Sequence, residues 1–152
     1  MKIQVKFFFF TAIFALLSAC NNNTPQATPT TSPTVGSTGG TKIQATTKEM
    51  EIQLSQSTVP AGNVEFVVTN QGKVEHEFVV IKTDLPLDKL PLKGDRLDED
   101  KAGKEIGEID EDELKSGTTK TLSLNLTPGK YLIVCNLPGH FKAGMRTLLT
   151  VK

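Results

Sequence analysis

Four side chains that can bind a soft metal ion have a spacing typical of ligands to one site. Cys135, His140 and Met145 follow one another as C-x4-H-x4-M near the carboxyl end, and His76 lies well upstream. The 152 residues contain only two cysteines and two histidines. Both histidines, and the only cysteine beyond the amino-terminal segment, therefore belong to one candidate metal site.

The types of these residues indicate copper. A thiolate, two imidazoles and a weak axial thioether form the trigonal set that electron-transfer copper prefers. Sulfur suits Cu(I) and nitrogen suits Cu(II), so a rigid mixed set serves both oxidation states. Pro138 and Gly139 bend the loop so that its ends converge on one ion. Zinc also accepts sulfur and nitrogen, but its fourth ligand is usually Cys, His, carboxylate or water rather than methionine.

The sequence around these ligands predicts short β-strands. Residues 49–54, 63–70, 76–82, 118–126, 131–135 and 146–152 are apolar or alternate between polar and apolar residues. Turn signals such as Pro60 to Gly62 and Pro128-Gly129 separate several of them. In the first strand Met50, Ile52 and Leu54 share one face, which predicts that all three are core residues. Strands at this spacing, without a long amphipathic helix, predict an all-β sandwich.

One segment interrupts this pattern. Residues 95–113 contain ten acidic side chains, opposed only by Arg96, Lys101 and Lys104. The simpler interpretation is a solvated acidic insertion, and the alternative is a docking surface for a basic redox partner. Gly103 and Gly107 weaken a helix prediction here.

The first residues resemble an export signal. Lys2 and Lys6 stand before an apolar run over residues 7–17, which leads into Leu17-Ser-Ala-Cys20. This pattern is typical of a secretory signal peptide, and its ending resembles a bacterial lipobox. We expect a lipoprotein signal peptide over residues 1–19, lipidated Cys20 with a Thr/Pro/Ser/Gly-rich linker over 20–42, and a folded domain over 43–152. Two acyl chains would suffice for stable membrane anchoring.

Composition excludes several other classes. The formal net charge is zero, so no basic surface indicates nucleic acid. A single cysteine in the folded part excludes a disulfide framework. Two histidines are too few for a multinuclear copper oxidase.

The ligand pattern resembles the cupredoxins, the small blue copper proteins, and its spacing is similar to that of the auracyanins and rusticyanins. The resemblance covers about residues 43–152 and implies a Greek-key β-sandwich with one copper ion near one end. It implies that His76 is the buried imidazole ligand, Cys135 the thiolate and Met145 the axial ligand. His140 would be the solvent-exposed ligand and electron port, within an apolar patch of Leu137, Pro138 and Phe141.

The sequence departs from this family at one position. Many members have Asn after the first histidine, where it ties the two ligand segments together, whereas here that residue is Glu77 and Asn136 follows the cysteine. A reversed hydrogen bond between these two residues is one hypothesis. A second is that an ionised Glu77 near the copper lowers its reduction potential.

The resemblance implies one-electron transfer between membrane-associated or exported redox partners. A c-type cytochrome, a terminal oxidase or a photosynthetic complex would fit. The alternative is a copper carrier or scavenger that uses the same ligands. An enzyme is disfavoured because the site has no second metal, no evident base and no open coordination position. We expect a monomer at the extracytoplasmic face of a bacterial membrane, periplasmic or outward-facing.

Overall fold

The alternating pattern of residues 63–70 produces the central strand of one sheet. In this computed structural model, which describes residues 40–152, Val64, Phe66 and Val68 of this strand are all completely buried. The sheet contains, in spatial order, β2 (Glu51–Leu54), β1 (Thr41–Lys48), β4 (Gly62–Asn70) and β9 (Thr119–Leu126). β1 pairs parallel with β4, and the other pairs are antiparallel.

The candidate ligands lie at the ends of strands in the second sheet. Its spatial order is β3 (Thr58–Val59), β11 (Arg146–Val151), β10 (Gly129–Val134), β5 (Phe78–Lys82) and β8 (Lys104–Ile109). β3 pairs parallel with β11 and the remaining pairs are antiparallel. The two sheets form the predicted all-β Greek-key sandwich.

The main core lies between the two sheets. Phe66 of one sheet meets Phe78 of the other with ring centroids 5.5 Å apart. Gly107 of β8 is part of this contact, since a Cβ there would lie 2.8 Å from Cδ2 of Leu124 in β9. A side chain at position 107 would therefore require the Leu124 side chain to move.

A second core covers the outer face of the β5–β10 sheet. This explains why β5 and β10 are apolar without alternation: both faces of each strand are buried. A 3-10 turn (Leu87–Lys89), the short hairpin of β6 (Leu92–Lys93) and β7 (Arg96–Leu97), and helix α1 (Glu99–Ala102) form the covering segment. The second core contains Val79, Ile81, Leu97, Ala102, Leu132, Val134 and Phe141.

The interpretation of residues 95–113 as a solvated insertion is therefore wrong in part. Leu97, Ala102 and Ile109 are buried, and residues 104–109 form edge strand β8. Most of the acidic side chains between them remain exposed or half-buried. The segment closes the second sheet and covers its outer face.

The prediction that Met50 is a core residue is also wrong. The β1–β2 turn consists of Glu49 and Met50, because Lys48 pairs with Glu51. Met50 has a left-handed backbone with φ of 60° and is 38% exposed. Only Ile52 of that strand is fully buried, while Leu54 packs on the core from its margin.

The amino-terminal predictions fall outside the described residues. These are the signal peptide over 1–19, the lipid attachment at Cys20 and nearly all of the linker. β1 begins at Thr41, two residues before the expected start of the domain at residue 43. Within residues 40–152, no helix has the length and apolar character needed to cross a bilayer.

Candidate metal centre

The candidate ligands come from two neighbouring strands and the loop between β10 and β11. His76 lies just before β5, and Cys135 directly follows β10. His140 and Met145 belong to the loop that leads into β11. Antiparallel pairing of β5 with β10 places His76 and Cys135 at the same end of the sheet.

Three of the donor atoms converge on one point. The Nδ1 atoms of His76 and His140 are 3.4 Å apart. The Cys135 Sγ lies 3.9 Å from Nδ1 of His76 and 3.2 Å from Nδ1 of His140. These residues form the one group of at least three His, Cys, Asp or Glu ligands within 4.8 Å that the structure describes over residues 40–152.

These separations fit one shared metal ion. A first-row ion about 2.0 Å from each nitrogen and about 2.3 Å from a thiolate leaves the donor atoms about 3.3 to 3.7 Å apart. Within the described part of the chain, the buried Nε2 of His76 has no hydrogen-bond partner, and the polar contacts of the ring are those of Nδ1 with His140 and Cys135. The chemistry of this donor set, two imidazoles and a thiolate, is that of copper.

Met145 is held beside this cluster by its backbone. Its carbonyl accepts from the N–H of Cys135 at 3.1 Å, and its own N–H donates to the carbonyl of His140 at 3.1 Å. Its side chain is fully buried in the main core. Met145 is thus placed next to Cys135 and His140, where its thioether would be the fourth donor of the predicted set.

Hydrogen bonds within the ligand loop fix its shape. The N–H of His140 donates to the carbonyl of Leu137 at 3.0 Å, and between them Gly139 adopts a φ of 82°. A residue with a side chain is strained in this left-handed region. The Pro138-Gly139 bend expected from the sequence is therefore a tight turn that returns His140 toward Cys135.

Burial makes the site a poor environment for charged protein groups. Burial raises the pKa of the Cys135 thiol to about 11, although N–H groups of Glu77 and Leu137 partly offset this. Burial also lowers the pKa of His76, and the neighbouring His140 adds to that effect. A bound cation would reverse this preference, since it favours the thiolate and the neutral imidazole that coordinate it.

Glu77 and Asn136 do connect the two ligand segments, although not through both side chains. The Glu77 carboxylate accepts a short hydrogen bond from the backbone N–H of Asn136. The backbone N–H of Glu77 lies 3.5 Å from the Cys135 sulfur. Burial is the main cause that raises the pKa of Glu77 to about 7, with further contributions from Glu99 and other nearby acids.

The surface around His140 differs from the predicted patch. His140 is half-buried, and Leu137 and Pro138 lie beside it as expected. Phe141 is instead 3% exposed and packs in the second core, so its assignment to the patch is wrong. Leu137, by contrast, packs against the main core. The port surface, as we call it, consists of Glu49, Met50, Val74, Glu75, Leu137, Pro138 and His140.

Sequence reasoning missed two apolar members of this port surface. Met50 is 38% and Val74 is 44% exposed, and both border the half-buried His140. Met50 occupies a turn, and Val74 stands in the polar segment KVEH just before the first ligand. The isolated apolar Val74, two residues before His76, is the signal that the sequence offers.

The sequence matches one family of known proteins. The family model for the sulfocyanin (SoxE) domain matches residues 35–152. No curated protein matches the chain in a sequence comparison.

Several solved structures share the fold. Reduced auracyanin from Roseiflexus castenholzii is 23% identical, with a TM-score of 0.55 over 75% of this chain and 99% of that one. Auracyanin B is 23% identical, with a TM-score of 0.50 over 78% and 93%. Rusticyanin from Thiobacillus ferrooxidans is 18% identical, with a TM-score of 0.53 over 75% and 79%.

The donor set and the family model both indicate copper as the cofactor. The sandwich, the convergence of His76, Cys135 and His140, and the position of Met145 support a single copper ion. The chain belongs to the sulfocyanin family of cupredoxins.

Proposed function

We propose that the chain is a type 1 copper electron-transfer protein whose ligands are His76, Cys135, His140 and Met145. The observation that carries the proposal is the convergence of one sulfur and two Nδ1 atoms within 3.2 to 3.9 Å of one another. Copper supplies a one-electron couple between Cu(I) and Cu(II) when it is bound.

The surrounding residues keep the site rigid. His76, Cys135 and Met145 are fully buried, and the Cys135–Met145 and Met145–His140 backbone hydrogen bonds close the loop. A site whose ligands are fixed by packing and by hydrogen bonds moves little when its charge changes. A small reorganisation favours fast electron transfer over tight storage of one oxidation state.

His140 is the proposed electron port. It is the one half-buried member of the three converging residues. Met50, Val74, Leu137 and Pro138 place apolar surface around it, which supports brief docking. Glu49 and Glu75 at the margin favour a partner whose docking surface is basic.

The proposed function requires redox partners, and the proposed location rests on the amino-terminal sequence. Cupredoxins act with redox proteins, and a c-type cytochrome, a terminal oxidase or a photosynthetic complex would each fit here. An anchor at lipidated Cys20 would hold the domain at the outer face of a bacterial membrane. A Cys20→Ser variant should then leave the membrane fraction during cell fractionation. Retention equal to that of the parent would contradict the lipid anchor without affecting the copper proposal.

The visible spectrum tests the copper site directly. Copper-loaded protein should absorb strongly in the visible range through charge transfer from the Cys135 thiolate, and Cys135→Ser should abolish the band. Met50→Leu, a surface change beside the port, is the matched control and should retain it. A colourless parent that exchanges copper readily would instead favour the carrier or scavenger.

Electron transfer requires a second measurement. The copper-loaded protein should undergo reversible one-electron reduction and should exchange electrons with a soluble c-type cytochrome used as a probe. Lack of any exchange with such probes, together with a stable blue colour, would count against electron transfer.

A further inference from the structure

Asn136 lies next to a proposed ligand but directs its side chain away from the metal cluster. It is 6% exposed. Its Oδ1 accepts from the N–H of Leu97 at 2.6 Å, and its Nδ2 donates to the Leu97 carbonyl at 3.1 Å and to Oε1 of Glu99 at 2.6 Å. We call these three contacts the Asn136 bridge. They use both amide hydrogens and the amide oxygen.

The same residue is also held through its backbone. Its N–H donates to the Glu77 carboxylate, and the Glu77 N–H in turn contacts the Cys135 sulfur. The peptide that joins Cys135 to Asn136 is thus fixed on one side by the segment of His76 and on the other by the covering segment. Such partners orient metal ligands without touching the metal.

The far end of the bridge is itself rigid. Leu97 and Ala102 are buried in the second core on either side of Glu99. The Asp98 carboxylate and the Lys101 ammonium are 2.7 Å apart, and the N–H of Ala102 donates to the Asp98 carbonyl at 2.9 Å. The β7–α1 corner is therefore a fixed support rather than a loose loop.

We propose that Asn136 is a positioning residue for the metal centre, through which the β7–α1 corner of the acidic segment holds Cys135 in place. This inference rests on the proposed ligand set. It gives the acidic segment a role at the copper site through Glu99, which accepts from the amide of Asn136. Without the side-chain contacts of Asn136, the Cys135–Asn136 peptide would be held only by the hydrogen bond from the Asn136 N–H to Glu77.

Four variants separate the bridge from simple loss of charge. Asn136→Ala removes all three contacts, and Glu99→Ala removes one. Glu99→Gln removes the charge but keeps an acceptor oxygen. Asp100→Ala is the matched control, because it deletes a negative charge from the same helix at a side chain with no contact to Asn136 within the described hydrogen bonds.

The first readout uses the copper-free protein. Amide hydrogen exchange at Leu97 should become about tenfold faster or more in Asn136→Ala, the effect of losing one buried hydrogen bond. Exchange at Leu97 in Asp100→Ala should match that of the parent. Unchanged exchange in Asn136→Ala would overturn the bridge itself.

The second readout uses the copper-loaded protein. The rate of copper(I) loss to a chelator should rise several-fold in Asn136→Ala and Glu99→Ala, and the visible band should shift or broaden. Glu99→Gln and Asp100→Ala should behave as the parent does. If Asn136→Ala does not fold, the Glu99 series alone decides the question.

Failure of this inference is distinct from failure of the proposed function. A parent protein without a visible band would refute the type 1 site. A blue parent in which Glu99→Ala, Asp100→Ala and the parent lose copper at one rate would refute only the positioning role.

Discussion

Replacing Phe141 by alanine tests the second core. The ring is 3% exposed, packs with Leu97 and Leu132, and has the Arg146 guanidinium carbon 4.9 Å from its centroid. Truncation of a buried phenylalanine costs about 3 to 5 kcal/mol, because the lost transfer free energy adds to the cavity that remains. The free energy of unfolding of a small domain is roughly 5 to 15 kcal/mol. Phe141→Ala should therefore remove a large fraction of the stability.

Urea unfolding of the copper-free protein measures this loss without a contribution from metal binding. With a urea dependence of about 1 to 3 kcal/mol/M, the midpoint should fall on the order of 2 M. Leu92→Ala in the covering segment is the exposed control: Leu92 is 56% exposed, and its truncation should change stability by about 0.5 kcal/mol or less. Equal, small shifts for both variants would refute the reasoning and return Phe141 to the surface beside His140.

Three further predictions concern single groups. Tyr131→Phe should cost about 1 kcal/mol in urea unfolding, because the buried hydroxyl donates to the Thr127 carbonyl at 2.7 Å; an unchanged midpoint would contradict this. Because burial raises the pKa of the Cys135 thiol to about 11, copper(I) binding must expel a proton. Its affinity, measured by chelator competition, should rise about tenfold per pH unit between about pH 8 and 10, whereas a flat profile would indicate a preformed thiolate. Gly103→Ala should lower the thermal midpoint by several degrees, since its Cβ would collide with the Lys82 carbonyl; a parent-like melting curve would mean that α1 shifts freely.

The metal type and much of the sandwich follow from local sequence. The spacing of Cys135, His140 and Met145 depends on one loop, and the scarcity of cysteine and histidine leaves His76 as the remaining imidazole. Strands such as β4 are predictable because a half-buried strand must alternate. β1 has the same alternation, with Ile43, Ala45 and Thr47 buried, but alanine and threonine make that signal weak.

The rest depends on contacts between distant parts of the chain. Residues 95–113 have few apolar side chains, and nothing local indicates that Leu97 and Ala102 meet Leu132 and Val134. Phe141 adjoins His140 in sequence, so its side of the loop is decided by the turn rather than by composition.

The hydrogen-bond partners of Asn136 cannot be predicted from the local sequence either. An asparagine beside a ligand predicts a polar contact, but its partners Leu97 and Glu99 are 39 and 37 residues away in sequence. Their proximity depends on how the covering segment packs on the outer face of the sheet.

The acidic side chains of β8 affect whether two copies of the protein can associate through this strand. β8 is an edge of the second sheet, and an unpaired edge invites another copy to add its own edge strand. An antiparallel approach of two such edges, centred between Ile106 and Gly107, would place Glu105 of one copy opposite Glu108 of the other. Like charges in direct opposition disfavour that pairing. Edge-to-edge addition of copies through β8 is therefore disfavoured even where the protein is concentrated.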